Sequence, residues 1–290
     1  MATSVTSSSR VQSAPSLPLV VLHQPVPPPV YLDGGSIGSS AGDVRFWTFP
    51  GITLSGDPVQ VDWVMATTAG APTAGGEERR LSDAVFTFGS GDRDQIVLNG
   101  VASYPTDTTT LQPGSAAIRA MTGGTGRYAE AAGQVLTQSY ADGSWSQNFL
   151  FGDVDVVVGT AGQDLLKPGS APSSCLSGLD GADRFRFAQQ ENRFRGPIDQ
   201  ITDFNLDEGD VIQLAAEAFP GLKNIRLNVV SSNRQLRREA ARASTVVFDQ
   251  STSFLWVDTN GSEPGWGVSG GPVVAIAPIA RITPAGLELV

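Results

Sequence analysis

The chain has 290 residues, of which 40% are hydrophobic, and its formal net charge at pH 7 is -10. This length suffices for two compact domains with buried cores, so the chain is not expected to be disordered overall. The negative charge argues against DNA, RNA and anionic membrane surfaces as partners, because these bind clustered Lys and Arg. No stretch reaches the ~20 apolar residues that a membrane helix needs, and the many glycines and prolines favour short strands joined by turns.

Residues 1–33 are rich in Ser and then in Pro, which predicts a disordered or polyproline II leader. The apolar run Leu17–Leu22 is interrupted by Pro18 and lacks a basic segment before it, so no Sec signal peptide is predicted. The single histidine, His23, lies in this leader, so serine-hydrolase triads and His-based metal sites are not expected. The single cysteine, Cys175, is predicted to be a spare thiol in a turn rich in Pro, Ser and Gly.

Residues 34–153 carry the densest strand signals. In Val59–Met65, apolar residues alternate with polar ones, which is the period of a half-buried strand. Clusters of Gly, Pro and Asp separate the predicted strands, which are 44–49, 59–68, 80–88, 95–104, 116–121, 133–139 and 145–151. About seven or eight strands in some 110 residues predict an antiparallel barrel or sandwich.

A glycine-rich turn in this region resembles the signature shared by allene oxide cyclases and dirigent proteins. The turn Gly123-Gly124-Thr125-Gly126 is followed by Tyr128 and by a strand beginning Gly133-Gln134-Val135. A phosphate-binding loop is the rival interpretation, but the helix and Lys of such a loop do not follow. The resemblance covers roughly residues 43–151. It implies an eight-stranded antiparallel barrel whose lumen shapes a hydrophobic substrate, and a homo-trimer assembled through the barrel.

The implied activity is that of a cyclase or isomerase which confines a polyunsaturated or polyketide-like molecule near its reactive shape. The candidate catalytic residues are Arg119, Asn99 and Tyr128. The candidate substrate-binding residues are Trp47, Trp63, Phe86, Tyr104 and Tyr140. Two alternatives stay open: the aromatic residues simply fill the core, and the protein binds a lipophile or forms a surface structure without turnover. The sequence does not decide which strand face is inward, and an inward Arg119 would need a carboxylate or a substrate oxygen.

Residues 154–290 contain two turns, Gly159–Asp164 and Gly178–Asp183, that resemble the RTX nonapeptide Gly-Gly-x-Gly-x-Asp-x-U-x. The following segment Asp199–Phe204 resembles the end of such domains in type I-secreted proteins. The resemblance implies a short β-roll that binds structural Ca²⁺ through turn carbonyls and Asp side chains. The implied ligands are Gly159, Ala161, Asp164, Gly178, Asp180, Asp183 and Asp203. Turns of the same composition without a metal are the alternative.

Calcium would serve export or stability, and no organic cofactor is predicted. The resemblance implies secretion by a non-Sec, type I-like route; otherwise the protein would work in the cytoplasm. One helix is predicted at Ser232–Ala243. Its arginines are predicted to form a solvated face and not a nucleic-acid site, given the acidic background.

Overall fold

A computed structural model describes residues 17–69, 76–106, 108–188, 198–242, 245–277 and 281–290. The chain is mostly β-structure with one α-helix, which confirms the predicted all-β class. No helix in the described ranges is long and apolar enough to cross a membrane.

The first sheet closes into an eight-stranded antiparallel barrel, as predicted. Its strands are β1 (Leu19–His23), β3 (Val44–Thr53), β4 (Pro58–Ala69), β5 (Glu77–Phe88), β6 (Gln95–Pro105), β7 (Ser115–Gly124), β8 (Gly133–Ser139) and β9 (Trp145–Phe151). A further short strand, β2 (Val30–Leu32), pairs with β3 outside the ring. Strands β3 to β9 each pair with the next along the chain, and β1 joins β9 to β3. The ring therefore leaves no open edge between its first and last strands.

The strand that closes the barrel comes from the segment predicted to be a leader. β1 pairs with β9 from Leu19, opposite Phe149, to His23, opposite Trp145. The prediction of disorder for residues 1–33 is therefore wrong for β1, while residues 1–16 lie outside the described ranges. The apolar run fits between two strand edges that are distant in sequence, where it gains burial and backbone hydrogen bonds. The Pro and Ser residues around this run predicted disorder, because local composition does not show pairing with strands elsewhere in the chain.

Side chains from alternate strand positions fill the barrel interior. Phe86 is fully buried, and its ring meets those of Trp63 and Phe149 edge-on, with centroid distances of 6.3 and 5.1 Å. At one end, a 3-10 helix formed by Gly126–Tyr128 brings the Tyr128 ring to 4.7 Å from Phe88. Gly126 has a φ of 57° and lies against the Asp94 carboxylate, so the turn needs a residue without a side chain there.

The second part of the chain winds through two parallel sheets that face each other across a shared core. One sheet contains β10 (Val154–Val158), β12 (Ser173–Ser177), β14 (Asp199–Ile201) and β19 (Gly271–Ile276). The other contains β11 (Leu165–Leu166), β13 (Arg184–Phe187), β15 (Val211–Leu214) and β20 (Leu287–Leu289). Apolar residues of both sheets, among them Leu176, Phe185, Ile201 and Ile212, form one buried cluster. This is the parallel arrangement expected of a β-roll.

Between β15 and β19 the chain forms an insertion that extends the first of these sheets. It contains β16 (Leu227–Val230), α1 (Asn233–Glu239), β17 (Val246–Asp249) and β18 (Phe254–Val257). The predicted helix at Ser232–Ala243 is confirmed over α1, with Ser232 as its N-cap, while residue 243 lies outside the described ranges.

Cys175 corrects another prediction, because it lies in strand β12 and not in a turn. It is fully buried together with Leu136 and Leu150, which face it from the outer surface of the barrel. Burial raises the pKa of the Cys175 thiol, so it is an inert packing residue at the junction of barrel and β-roll.

We expect a charge on the inner face of β1 to prevent stable closure of the barrel. Val21→Asp places a carboxylate where the side chain is fully buried, and should destabilise the protein by on the order of 4 kcal/mol or more. Val30→Asp is the control, because Val30 is exposed on β2 and the change should cost less than about 0.5 kcal/mol. Urea unfolding followed by tryptophan fluorescence measures both; equal stabilities would contradict the assigned role of β1.

Candidate functional site

A cleft of about 850 Å³ lies at the junction of the barrel and the β-roll. Its apolar lining includes Leu22, Ile52 and Trp145 from the barrel and Leu179 and Phe204 from the β-roll. Its polar lining includes His23, Gln138, Tyr140, Asp142, Asp180, Asp203 and Glu208. A concave, mainly apolar surface with a few polar groups is the usual form of a small-molecule site, so this junction cleft is the first candidate.

His23, at the end of β1, contributes to the cleft and is almost fully buried. Its Nδ1 donates to the Gln24 carbonyl at 3.0 Å, so its Nε2 is the acceptor for the Gln147 amide at 3.2 Å. Its ring packs between Phe49 and Trp145, at 4.7 and 5.7 Å. Burial lowers the pKa of His23 to about 4, so the imidazole is neutral at neutral pH.

A chain of buried hydrogen bonds leads from His23 into the barrel. Gln147 accepts from the Thr137 hydroxyl at 2.6 Å, and Thr137 accepts from the Arg119 guanidinium at 2.9 Å. All three side chains are at most 2% exposed. This series of hydrogen bonds therefore connects the cleft with the centre of the barrel.

Arg119 points into the barrel, which settles the question of its orientation. Its guanidinium donates to the Tyr104 hydroxyl at 2.7 Å and lies 4.8 Å from the Trp63 ring centroid. The stem of the side chain crosses Gly100, where an added Cβ would lie 3.0 Å from Arg119 Cγ. No carboxylate of the described residues pairs with Arg119.

Two other arginines lie inside the barrel and were not singled out from the sequence. Arg45 and Arg80 both contact the fully buried Glu78 carboxylate. Arg80 also donates to the carbonyls of Thr108 and Thr109, at 2.5 and 2.7 Å. The alternation of β5 could have predicted that Glu78 and Arg80 point inward, because they are in phase with Ala84 and Phe86 on the inward face.

The remaining predicted barrel residues lie in three separate places. Trp47, Trp63, Phe86 and Tyr104 are all buried in the interior. Asn99 lies on the outer face of β6, where it donates to Asp83 at 2.5 Å, and Tyr128 lies at the end of the barrel. The structure therefore does not bring Asn99 or Tyr128 to Arg119.

Tyr140 belongs to the junction cleft and not to the barrel interior. Its hydroxyl donates to the Thr202 carbonyl at 3.1 Å and bonds the Ser146 hydroxyl at 2.8 Å. Burial raises the pKa of Tyr140, so its phenol stays protonated at neutral pH.

The Asp side chains of the β-roll turns bind backbone amides of neighbouring coils. Asp183 Oδ1 accepts from the Asp164 N–H, and Asp210 Oδ1 accepts from the Asp183 N–H, both at 2.8 Å. Asp164 Oδ2 accepts from the Thr160 N–H at 2.6 Å. Each turn is thus fixed by a carboxylate of its own or of the next coil, which organises the stack without requiring a metal.

Asp203 has a different role, because it ties the β-roll to the barrel. Its two carboxylate oxygens accept from the backbone N–H groups of Gly178 and Leu179, from the Ser177 hydroxyl and from the Gln138 amide of β8. Burial raises the pKa of Asp203, and these four bonds occupy the lone pairs that a cation would use.

Calcium is the metal that the turn motif implies, and the turns offer it a partial set of oxygen ligands. Asp183 Oδ2 is buried without a hydrogen-bond partner among the described residues. Gly159 lies close to both the Gly178 carbonyl and the Asp164 carboxylate. Within the described part of the chain, however, no group of three or more His, Cys, Asp or Glu side chains is placed to hold a metal. A site here would therefore depend mainly on backbone carbonyls. Ala161 and Asp180 stay predicted ligands.

We expect His23 to make stability depend on pH. The folded protein lowers its pKa from 6.5 to about 4, so the unfolded chain binds more protons between these values. The contribution is complete above about pH 6.5 and is lost as the pH falls towards 4, by on the order of 3 kcal/mol. Urea unfolding of the wild type and His23→Gln across this range measures it. The difference in free energy between the two proteins should change over this window; a constant difference would contradict the assignment.

Comparisons with known proteins do not place the chain in a family. No family model matches it, and no curated protein of similar sequence was found. Among solved structures, a pyocyanin demethylase aligns with 44% of this chain and 96% of its own, with 18% identical residues and a TM-score of 0.33. A likeness at this level carries no conclusion about activity, so the function has to be argued from the site itself.

Proposed function

We propose that the protein binds a hydrophobic small molecule, polyunsaturated or polyketide-like, in the junction cleft and promotes its cyclisation or isomerisation. The observation that carries this proposal is the cleft itself, whose apolar surfaces from two parts of the chain meet beside His23 and Tyr140. Both of these groups have a pKa shifted by burial, which is common at functional sites.

The polar groups of the cleft favour confinement over nucleophilic chemistry. His23 and Tyr140 are both uncharged at neutral pH, and each is held by hydrogen bonds to the protein. A cleft of this kind can hold a flexible chain near one reactive shape, which lowers the entropic part of the barrier. The barrel interior, filled by its own aromatic side chains, would form the rigid wall against which the ligand is shaped.

A binding protein without turnover is the second candidate. Both nitrogens of His23 and the hydroxyl of Tyr140 already have protein partners, so neither group is free to transfer a proton to a ligand. This observation argues against acid–base catalysis by these groups and also fits a protein that sequesters a lipophile without turnover, so product analysis separates the two.

We expect the conjugated polyene cis-parinaric acid to bind saturably to the full chain, as measured by its fluorescence. Ile52→Asp should weaken this binding on the order of tenfold or more, because it places a charge in the apolar lining of the cleft. Val101→Asp is the matched control, since Val101 is 42% exposed against 48% for Ile52 and does not line the cleft.

Mass spectrometry of polyunsaturated test compounds after incubation decides between the candidates. An isomeric or cyclised product would support the enzyme, and saturable binding without product would support the binding protein. If Ile52→Asp and Val101→Asp weakened binding equally, the ligand would not occupy the junction cleft, and both candidate functions would lose their site.

The β-roll is proposed to bind Ca²⁺ as a structural ion, with Asp183 as the central ligand. Support comes from the unpaired Oδ2 of Asp183. The Gly178 carbonyl and the Asp164 carboxylate, which both lie close to Gly159, would be further oxygen ligands. When bound, the ion would neutralise carboxylates that burial makes costly; the pKa of Asp183 is raised to about 6. Export by a non-Sec route and assembly into a trimer stay predictions that accompany this proposal.

Thermal unfolding with EGTA and with excess Ca²⁺ tests the ion. The melting temperature should rise saturably with Ca²⁺, and Asp183→Asn should abolish most of the rise because it removes the charged oxygen. Asp92→Asn, an exposed carboxylate of the barrel, is the control and should leave the rise intact. A melting temperature indifferent to Ca²⁺ would show that the turns are held by the Asp–amide bonds alone.

A further inference from the structure

The barrel interior buries more positive than negative charge. Arg45, Arg80 and Arg119 are each at most 5% exposed, and Glu78 is shared by the first two. Asp43, at the rim, accepts from Tyr31 and from the turn at Ser40. Arg119 is therefore a buried cation without an anionic partner among the described residues, an arrangement that is costly unless an anion joins it.

Three buried donors in this interior have no hydrogen-bond partner among the described residues. They are Arg119 Nε, Trp63 Nε1 and Ser82 Oγ. Their side chains are 2%, 4% and 0% exposed, so bulk water does not satisfy them. Buried polar groups are nearly always paired, and an unpaired set indicates a missing ligand or an ordered solvent molecule.

Strand register brings the three donors to the same part of the barrel. Ser82 on β5 pairs directly with Gly100 on β6, and the stem of Arg119 lies over Gly100. Trp63 on β4 pairs with Ala84, two residues from Ser82 on the same inward face, and its ring stacks on the Arg119 guanidinium. The small side chains of Ser82 and Ala84 on this inward face leave it to Arg119 and Trp63 to supply most of the side-chain volume here.

We infer that Arg119, Trp63 and Ser82, together the Arg119 site, bind a compact oxyanion of carboxylate type inside the barrel. Two N–H donors and a hydroxyl beside an unneutralised guanidinium match an acceptor that carries negative charge. A water molecule could accept from the two N–H groups and donate to the Ser82 hydroxyl, but it would leave the charge of the buried guanidinium without a counter-charge. The inference goes beyond the proposed function, since this site lies in the barrel and not in the junction cleft, and neither depends on the other.

The oxyanion could be the head group of a small organic acid or an inorganic anion, and both share the same chemistry. Thermal unfolding of the full chain is therefore measured in sodium acetate and in sodium phosphate, with sodium chloride keeping the ionic strength constant. Acetate should raise the melting temperature saturably, as expected for a ligand of the folded state. Saturation with acetate alone would indicate an organic acid, and saturation with phosphate as well would indicate an inorganic anion.

Variants locate the effect. Arg119→Met should abolish the response to acetate, whereas Arg79→Met, an exposed arginine on the outer face of β5, should leave it unchanged. Trp63→Phe keeps the ring but removes its N–H, and should weaken acetate binding on the order of tenfold. Trp256→Phe is the control, because Trp256 Nε1 is also buried and unpaired but lies in the insertion of the β-roll.

Trp63→Phe also decides the matter if Arg119→Met fails to fold. A response to acetate that is absent or does not saturate in the wild type would overturn the inference and assign the donors to buried water. An acetate response that Trp63→Phe weakens no more than Trp256→Phe would overturn it as well.

Discussion

An antiparallel sheet has two edges whose backbone groups need partners, and a barrel forms only where both edges are paired. Here the five-residue strand β1 pairs with β9 along its whole length and with β3 at two positions. The same strand carries His23 into the hydrogen-bonded chain that reaches Arg119 through Gln147 and Thr137. Closure of the barrel and the order of its polar interior therefore depend on one short element.

The junction with the β-roll is the second constraint. On the outer face of β8 and β9, Gln138 and Asn148 are buried polar residues whose amides bond Asp203 and Gln200 of the β-roll. If the two parts met in a different arrangement, these amides would be buried without partners at a cost in free energy. They therefore fix how the two parts meet. The junction cleft is a product of that fit, because neither part encloses it alone.

Short sequence patterns predicted the strands and turns whose contacts lie close together in the sequence. Runs of strand-forming residues between Gly, Pro and Asp clusters located seven barrel strands, and the Gly/Asp spacing located the two turns, because both patterns reflect contacts between near neighbours. The strand β1 could not be found in this way, since its partners lie far along the chain. Nor could the inward direction of Arg119 be predicted, because a strand's period fixes two faces without saying which is inside. The turn motif likewise does not show that one oxygen of Asp183, Oδ1, accepts from a backbone amide of the neighbouring coil.

The position of β1 also has a consequence for the order of folding during synthesis. Its partner β9 begins at Trp145, so more than a hundred residues leave the ribosome before Leu19–His23 can pair with it. Until then this apolar strand has only its two positions of pairing with β3 available, and an open strand edge of this kind can associate with other chains. Contacts this distant in sequence slow folding, and the β-roll repeats the problem at the other end, where β19 and β20 complete its sheets last. Late completion of the barrel and of the β-roll therefore leaves strand edges without their partners for much of synthesis.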